Sequence, residues 1–311
     1  MTIIRQIADG LQFPEGPIAL PDGSFLVTEI AASRLSRISA EGALSVVAVL
    51  GGSPAGTAIG PDGNCYICNG GGTKFRSKNG LTLPSGSVGG VGRVERVNLE
   101  TGAVDVLYTA CEGTPLSAPN DLVFDSSGGF WFTDHGQTRE LTLDRGWIYY
   151  AKPDGSSIKR VIGPMVGPNG IGLYPDGRRL YVAETGPARM WGFDIGEPGT
   201  IVPSAQAVLQ RVGHFISGPG GYQMFDSLAV DSAGWICVAT LLNGGLAVIS
   251  PDGRQVQQIA LPDRFTTNVC FGGTDMYTAY VTLGSTGKLV GLDWPRAGLP
   301  LNYPPREFRS Q

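Results

Sequence analysis

One short stretch, Phe13-Pro14-Glu15-Gly16-Pro17-Ile18-Ala19-Leu20-Pro21-Asp22-Gly23, recurs about six times along the chain, and this recurrence limits the fold more than any other feature. The copies align on the glycine of a turn. Glu15 stands eight residues before Gly23, Ala55 eight before Gly63, Asn120 eight before Gly128, Asn169 eight before Gly177 and Asp226 eight before Gly234. A weaker sixth copy runs through Thr267-Asn268 into Phe271-Gly272-Gly273. Between successive copies the aligned position moves by 40, 65, 49, 57 and 41 residues.

Each copy reads as an apolar run, a tight turn and a second apolar run. Asp-Gly between apolar runs is a strong hairpin signal. In the first copy the runs are Pro17–Leu20 and Phe25–Thr28, followed by strand patterns at 34–38 and 44–50. Four antiparallel strands in a unit of roughly 40–50 residues are the signature of a propeller blade. The expected fold is therefore all-β, a six-bladed β-propeller forming a single domain over residues 1–311. The sixth copy has three strand patterns and no clear fourth. The alternating segment Thr2–Ala8 is expected to supply the missing outer strand, so that the N-terminal strand closes the last blade. A helical repeat has no sustained 3.6-residue apolar period to support it.

Composition agrees with this. The 311 residues include 47 Gly and 22 Pro, as expected for many turns between short strands. A net charge of -4 with no basic run argues against a nucleic-acid partner. No run approaches the roughly 20 apolar residues of a membrane span. The start of the sequence has no signal-like apolar segment, so a cytoplasmic protein is expected. Five cysteines, an odd number, suit free thiols in a reducing compartment, and Cys65 and Cys68 lack a second pair to complete a zinc site.

The first strand of a blade lines the central channel. Glu15, Asn120, Asn169 and Asp226 would therefore meet at one mouth, with Glu29, Asn69, Asp134, Glu184 and Thr240 returning behind them on the second strands. Confined carboxylates repel one another, and a divalent cation relieves that. Two carboxylates and two amide oxygens, with no His or Cys, favour a hard ion, Ca²⁺ before Mg²⁺, with Zn²⁺ or Mn²⁺ as further options. Ala55 and Thr267 leave one side of this set open.

Several segments together resemble the gluconolactonase/regucalcin (senescence marker protein) family of six-bladed propellers over nearly the full length. They are Phe13-Pro14-Glu15-Gly16-Pro17, Pro119-Asn120-Asp121-Leu122, Trp131-Phe132-Thr133-Asp134, Pro168-Asn169-Gly170-Ile171, Leu180 to Thr185, Phe225-Asp226-Ser227-Leu228-Ala229 and Thr267 to Gly273. The resemblance implies a lactonase or related hydrolase. Glu15, Asn169 and Asp226 would ligate its divalent metal, and Asn120 would be a fourth ligand or a substrate contact. Diisopropyl-fluorophosphatase-like propellers use a similar Glu, Asn, Asn, Asp set for calcium. The chain departs from the sugar-lactone members similar to regucalcin at Ala118, where they carry Arg.

The expected activity is divalent-metal-dependent opening of a lactone or small ester, by polarisation of the carbonyl and attack of water. Asp226 and His135 are the candidate bases, and His214 is a weaker one. No G-x-S-x-G elbow or P-loop occurs. Two long connections are expected to shape the pocket. The first, Gly70 to Gly92, is a loop or lid that brings Phe75 and Arg76 to the substrate. The second, Gln206 to Gln223, brings Tyr222 and neighbouring Phe225. Two other readings stand beside this one: a non-catalytic ligand-binding propeller plugged by calcium, and a phosphotriesterase-like hydrolase.

Overall fold

The computed structural model describes residues 3–205 and 213–305. Six antiparallel units, five of four strands and one of five, follow one another around an axis, and each has its first strand innermost. Blade one is Pro14–Ala19, Phe25–Glu29, Arg34–Ile38 and Leu44–Val49. Blade two is Pro54–Ile59, Cys65–Asn69, Arg93–Val97 and Val104–Tyr108. Blade three is Pro119–Phe124, Phe130–Asp134, Gly146–Ala151 and Ile158–Met165. Blade four begins Pro168–Leu173, Arg179–Glu184 and Arg189–Ile195; its outer edge is shared by Ile201–Val202 and His214–Ser217. Blade five is Met224–Val230, Ile236–Leu241, Leu246–Ile249 and Val256–Ile259. Blade six is Thr266–Gly272, Thr278–Leu283 and Lys288–Asp293, completed by Ile4–Ala8. Ile4 pairs with Leu292 and Gln6 with Val290, so the N-terminal strand closes the ring as expected.

The turns explain the hairpins. Asp22 Oδ1 accepts the N–H of Ser24 at 3.0 Å while Gly23 takes φ +80. An Asx-type bond followed by a left-handed residue reverses the chain without strain, and only glycine enters that region freely. Asp62 before Gly63 repeats the pattern, accepting Asn64 N–H at 3.1 Å.

Among the described residues the core is six clusters, one at each blade-to-blade interface. Between blades three and four, Trp131, Ile148 and Met165 meet Ile171, Leu180 and Phe193. Fully burying one such side chain stabilises by about 1.5–3 kcal/mol. The cysteines are free thiols, four buried and Cys270 half-buried. The one helix among the described residues is a single 3-10 turn, Ile30–Ala32, and none is long and apolar enough to cross a membrane.

Polar bonds add a second, inner ring. Thr28 Oγ1 donates to Ala55 O of the next blade at 2.7 Å, and Thr133 Oγ1 to Asn169 O at 2.7 Å. Thr267 Oγ1 donates to Pro14 O at 2.7 Å, tying blade six to blade one. At the far end of the channel the segment after blade six crosses beneath the first strands. Leu299 N–H bonds Val230 O at 3.1 Å, and Asn302 Nδ2 donates to Phe124 O at 2.9 Å. That segment floors a cavity of about 560 Å³ along the axis.

The connection Gly70 to Gly92 is not an irregular loop. It is a hairpin, Thr73–Lys78 paired with Leu81–Ser87. Its turn residues Asn79 and Gly80 both have positive φ, +53 and +75, as a type I′ turn requires. The hairpin leaves blade two and leans across blade one, where Phe75 packs on Phe13 with ring centroids 5.0 Å apart. It ends on blade six, where Thr82 N–H bonds Ser285 O at 2.9 Å.

Thr133→Val keeps the volume and removes the bonds that Thr133 makes with Asn169 O and Asp121 N–H. Unfolding in urea is expected to show a loss of about 1–3 kcal/mol with unchanged m, the cost of leaving buried backbone groups unpaired. An unchanged midpoint would mean the inner ring of bonds contributes nothing.

Candidate functional site at the channel mouth

Register puts the four expected oxygen donors at equivalent places. In every blade the pairing of strand one with strand two slips where the chain enters the channel. The slip lies between Glu15 and Ile18, Pro54 and Thr57, Pro119 and Leu122, Pro168 and Ile171, Phe225 and Leu228, and Thr266 and Asn268. A bulge of this kind sets two residues of one strand against one of its partner and re-aims their side chains. The pairs are Glu15-Gly16, Ala55-Gly56, Asn120-Asp121, Asn169-Gly170, Asp226-Ser227 and Thr267-Asn268. The first members are the aligned positions of the repeat. The second members form a deeper tier that the repeat alignment did not single out.

The tiers touch across the axis. Asn268 Nδ2 donates to Glu15 Oε2 at 2.8 Å, and Gly16 N–H bonds the same oxygen. Ser227 lies near both Glu15 and Asp121. Asn169 Nδ2 donates to Thr185 Oγ1 at 3.1 Å, and Ser227 Oγ points to Asn169 Oδ1 at 3.4 Å. Asp121 accepts Leu122 N–H at 2.9 Å and Ile171 N–H at 3.4 Å. The glycines leave room for this tier. A Cβ on Gly16 would stand 2.6 Å from Ala55 O, and one on Gly170 2.6 Å from Leu228 N.

Glu15, only 3% exposed, has its carboxyl pushed up to about 7 by burial, against the hydrogen bonds from Asn268, Gly16 and Ser227. Burial, then the Glu15 charge, raises both Asp121 and Asp226 well above the usual carboxylate range. Two oxygens here are buried without any hydrogen-bond partner, Glu15 Oε1 and Asn120 Oδ1. Orphaned buried acceptors cost about 1–3 kcal/mol each, and a cation is one group that satisfies both. Among the described residues no three His, Cys, Asp or Glu side chains are gathered so as to hold a metal ion. A cation at this mouth would therefore need the Asn120 and Asn169 oxygens beside Glu15 and Asp226, a set suited to hard ions.

The ring behind has a different task. Glu29 accepts Gln12 N–H at 2.8 Å and Asn69 accepts Ser53 N–H at 2.8 Å. Asp134 accepts Ser117 and Ala118 N–H at 2.7 and 2.6 Å, and Glu184 accepts Val166 N–H at 2.8 Å. Each clamps the chain just before it enters the channel. Thr240 bonds Gly245 O at 3.0 Å within its own blade.

His135 follows Asp134 and sits at the rim between blades three and four. Its N–H bonds Ala118 O at 2.9 Å, and Nδ1 lies 2.8 Å from Gly136 O. Nε2 occupies the space that a side chain at Gly167 would take, 2.9 Å from an ideal Cβ there. Burial holds its pKa below the ordinary value. His214 lies away from the mouth, on the outer edge of blade four, bonded to Asp194 at 2.8 Å and Ser204 at 3.1 Å.

Three expected substrate contacts need correction. Phe225 is fully buried between blades four and five with Tyr181 and Met190, so it offers a ligand no surface. Tyr222 is 83% exposed and does not line the axial cavity. Arg76 is exposed and follows Phe75 on one strand; alternation turns it away from the face that Phe75 presents to Phe13. Phe75, half-buried, packs on Phe13 beside the start of blade one. The Gln206–Val212 part of the second connection lies outside the described residues.

Residues 13–285 match the SMP-30/gluconolactonase/LRE-like region family. The chain belongs to that family. A gluconolactonase of Zymomonas mobilis is 25% identical over 289 residues, 87% of this chain and 76% of its own. A lactonase, drp35, of Staphylococcus saprophyticus is 36% identical over 148 residues, 47% of this chain; the match spans 42% of that relative's length. A solved structure of regucalcin, a calcium-binding protein of Agrobacterium tumefaciens, superposes with a TM-score of 0.75 at 18% identity, covering 98% of both chains. That likeness shows the shared propeller fold.

The raised carboxyl pKa values set a pH dependence. A folded state that holds protons the unfolded chain has released loses stability as pH rises. In chelator-treated protein the contribution of Glu15 is therefore full below the ordinary glutamate value of 4.5 and is lost as pH climbs through about 7. Thermal melts should show Tm falling across that window, and Glu15→Gln should flatten the fall. A Tm that rises there in the unsubstituted protein would contradict the carboxyl cluster.

Proposed function

We propose that this protein is a divalent-cation-dependent hydrolase that opens lactones or related small esters. The observation that carries the reading is the paired orphan, Glu15 Oε1 and Asn120 Oδ1, buried at one mouth beside Asn169 and Asp226. Membership of the gluconolactonase family and relatives named as lactonases support the choice of reaction.

Glu15, Asn120, Asn169 and Asp226 would hold the cation, with Ca²⁺ favoured by the all-oxygen set. When bound, the ion supplies Lewis-acid polarisation of the ester carbonyl. The chain supplies the rest. Asn268 and Gly16 N–H fix one Glu15 oxygen, which leaves the other without a partner. His135 is the stronger base of the two candidates. A donor bond from its Nδ1 to Gly136 O leaves Nε2 as the acceptor, and burial keeps the ring neutral near pH 7, ready to take a proton from an attacking water. Asp226 would be one of the ligands, and coordination would lower its basicity. Asp134, behind His135, holds Ala118 and Gly136 by their N–H groups and so steadies the rim beneath the ring.

Hydrolysis of a lactone panel should disappear with EDTA and return on adding Ca²⁺ or another divalent ion. Equal rates in chelated and metal-loaded protein would sink the reading. His135→Gln is expected to lower kcat by about 10²–10⁴-fold and to remove the acid limb of the pH profile. A retained acid limb would move the base to Asp226.

A further inference from the structure

Above the bulges the chain places one more residue per blade at the rim: Phe13, Ser53, Ala118, Gly167, Met224 and Phe265. Their equivalence is set by hydrogen bonds. The residue after strand two donates its N–H to the rim residue's carbonyl in five blades. The pairs are Ile30 to Phe13 at 3.1 Å, Gly70 to Ser53 at 2.9 Å, His135 to Ala118 at 2.9 Å, Thr185 to Gly167 at 2.8 Å and Gly284 to Phe265 at 2.7 Å. In blade five Met224 pairs with Leu241.

None of the six is charged, and they divide into two arcs. Blades two, three and four carry Ser53, Ala118 and Gly167, all small, and His135 fills the gap at Gly167. Blades five, six and one carry Met224, Phe265 and Phe13, all large and apolar. Phe13 lies 6.2 Å from Phe265, and Phe75 from the blade-two hairpin covers it. Phe13 takes φ +54, a strained setting for a non-glycine residue. The Ser53 hydroxyl is engaged by Thr73 Oγ1 at 3.0 Å. The half-buried surface on the large arc is thus Phe75, Phe265 and Met224.

We infer that the substrate carries an apolar substituent, alkyl or aryl, and that Phe75, Phe265 and Met224 select it. This rests on the hydrolase reading above. A carbonyl held at the mouth leaves the remainder of its ring or acyl group against one of the arcs. A polyhydroxylated substituent on the large arc would lose water from its hydroxyl groups without gaining partners. An alkyl or aryl group there gains by removing apolar surface from water. The hairpin makes the wall. Without it Phe13 would face solvent, and the arc would end at the rim.

The test is steady-state kinetics of the metal-supplemented full chain on four substrates. These are an unsubstituted five-membered lactone, a long-chain alkyl lactone, an aryl-fused lactone and a sugar-acid lactone. The expected kcat/KM favours the alkyl and aryl substrates over the sugar-acid lactone by at least about tenfold. Phe75→Ala and Met224→Gln should each cut the substituted-to-unsubstituted ratio by about tenfold, chiefly through KM, while Phe75→Leu retains most of it. Thermal melts establish that each variant is folded. A preference for the sugar-acid lactone, or ratios unmoved in both folded variants, overturns the inference and leaves the hydrolase reading standing. Hydrolysis of none of the four overturns both.

Discussion

A bulge at the same place in every first strand shapes this channel mouth. A regular strand would aim one residue of each adjacent pair at the axis and send the next into the blade. The bulge turns both inward and doubles the number of side chains that six strands deliver to a narrow space. That crowding is tolerable because Gly16, Gly56 and Gly170 take three of the six deeper positions. The side chains that remain at that level, Asp121, Ser227 and Asn268, link strands that are far apart in the chain.

Polar groups near the mouth fall into two populations with opposite energetics. Glu29, Asn69, Asp134 and Glu184 are spent on backbone N–H groups, and their desolvation is offset by the bonds they accept. Glu15, Asp121 and Asp226 are buried at the mouth, and that burial raises all three carboxyl groups, with the Glu15 charge adding to it at Asp121 and Asp226. The first population makes the entrances rigid. The second leaves them chemically unsatisfied, and such a local departure from ideal packing is where a bound ion or substrate finds its binding energy.

The blade count, the closure by Ile4–Ala8 and the four oxygen positions could be read from the sequence. The Asp-Gly turns fix the register, and that register carries Glu15, Asn120, Asn169 and Asp226 to one level. The deeper tier could not, because alternation assigns Asp121 and Asn268 to the blade interior until the bulge is known. The Asn79-Gly80 turn was a readable hairpin signal inside Gly70 to Gly92, and reading it would have separated Phe75 from Arg76 by face. Phe225 and Tyr222 differ in fate for a reason that local pattern does not contain. Phe225 directly precedes the bulge and meets Tyr181 of the neighbouring blade, whereas Tyr222 precedes the strand altogether.

The sixth blade is built from both ends of the described chain, and Thr267 binds Pro14 across a separation of 253 residues. Blades one to five can each assemble as soon as their own strands exist. Blade six cannot, since its outer strand is made first and its other three last. The sheet edge of Lys288–Asp293 stays open until Ile4–Ala8 returns to it, so the slowest contacts to form are those that seal the ring. Joining the present ends and opening the chain between two other blades would move that wait elsewhere, and the mouth would form around a different last arrival.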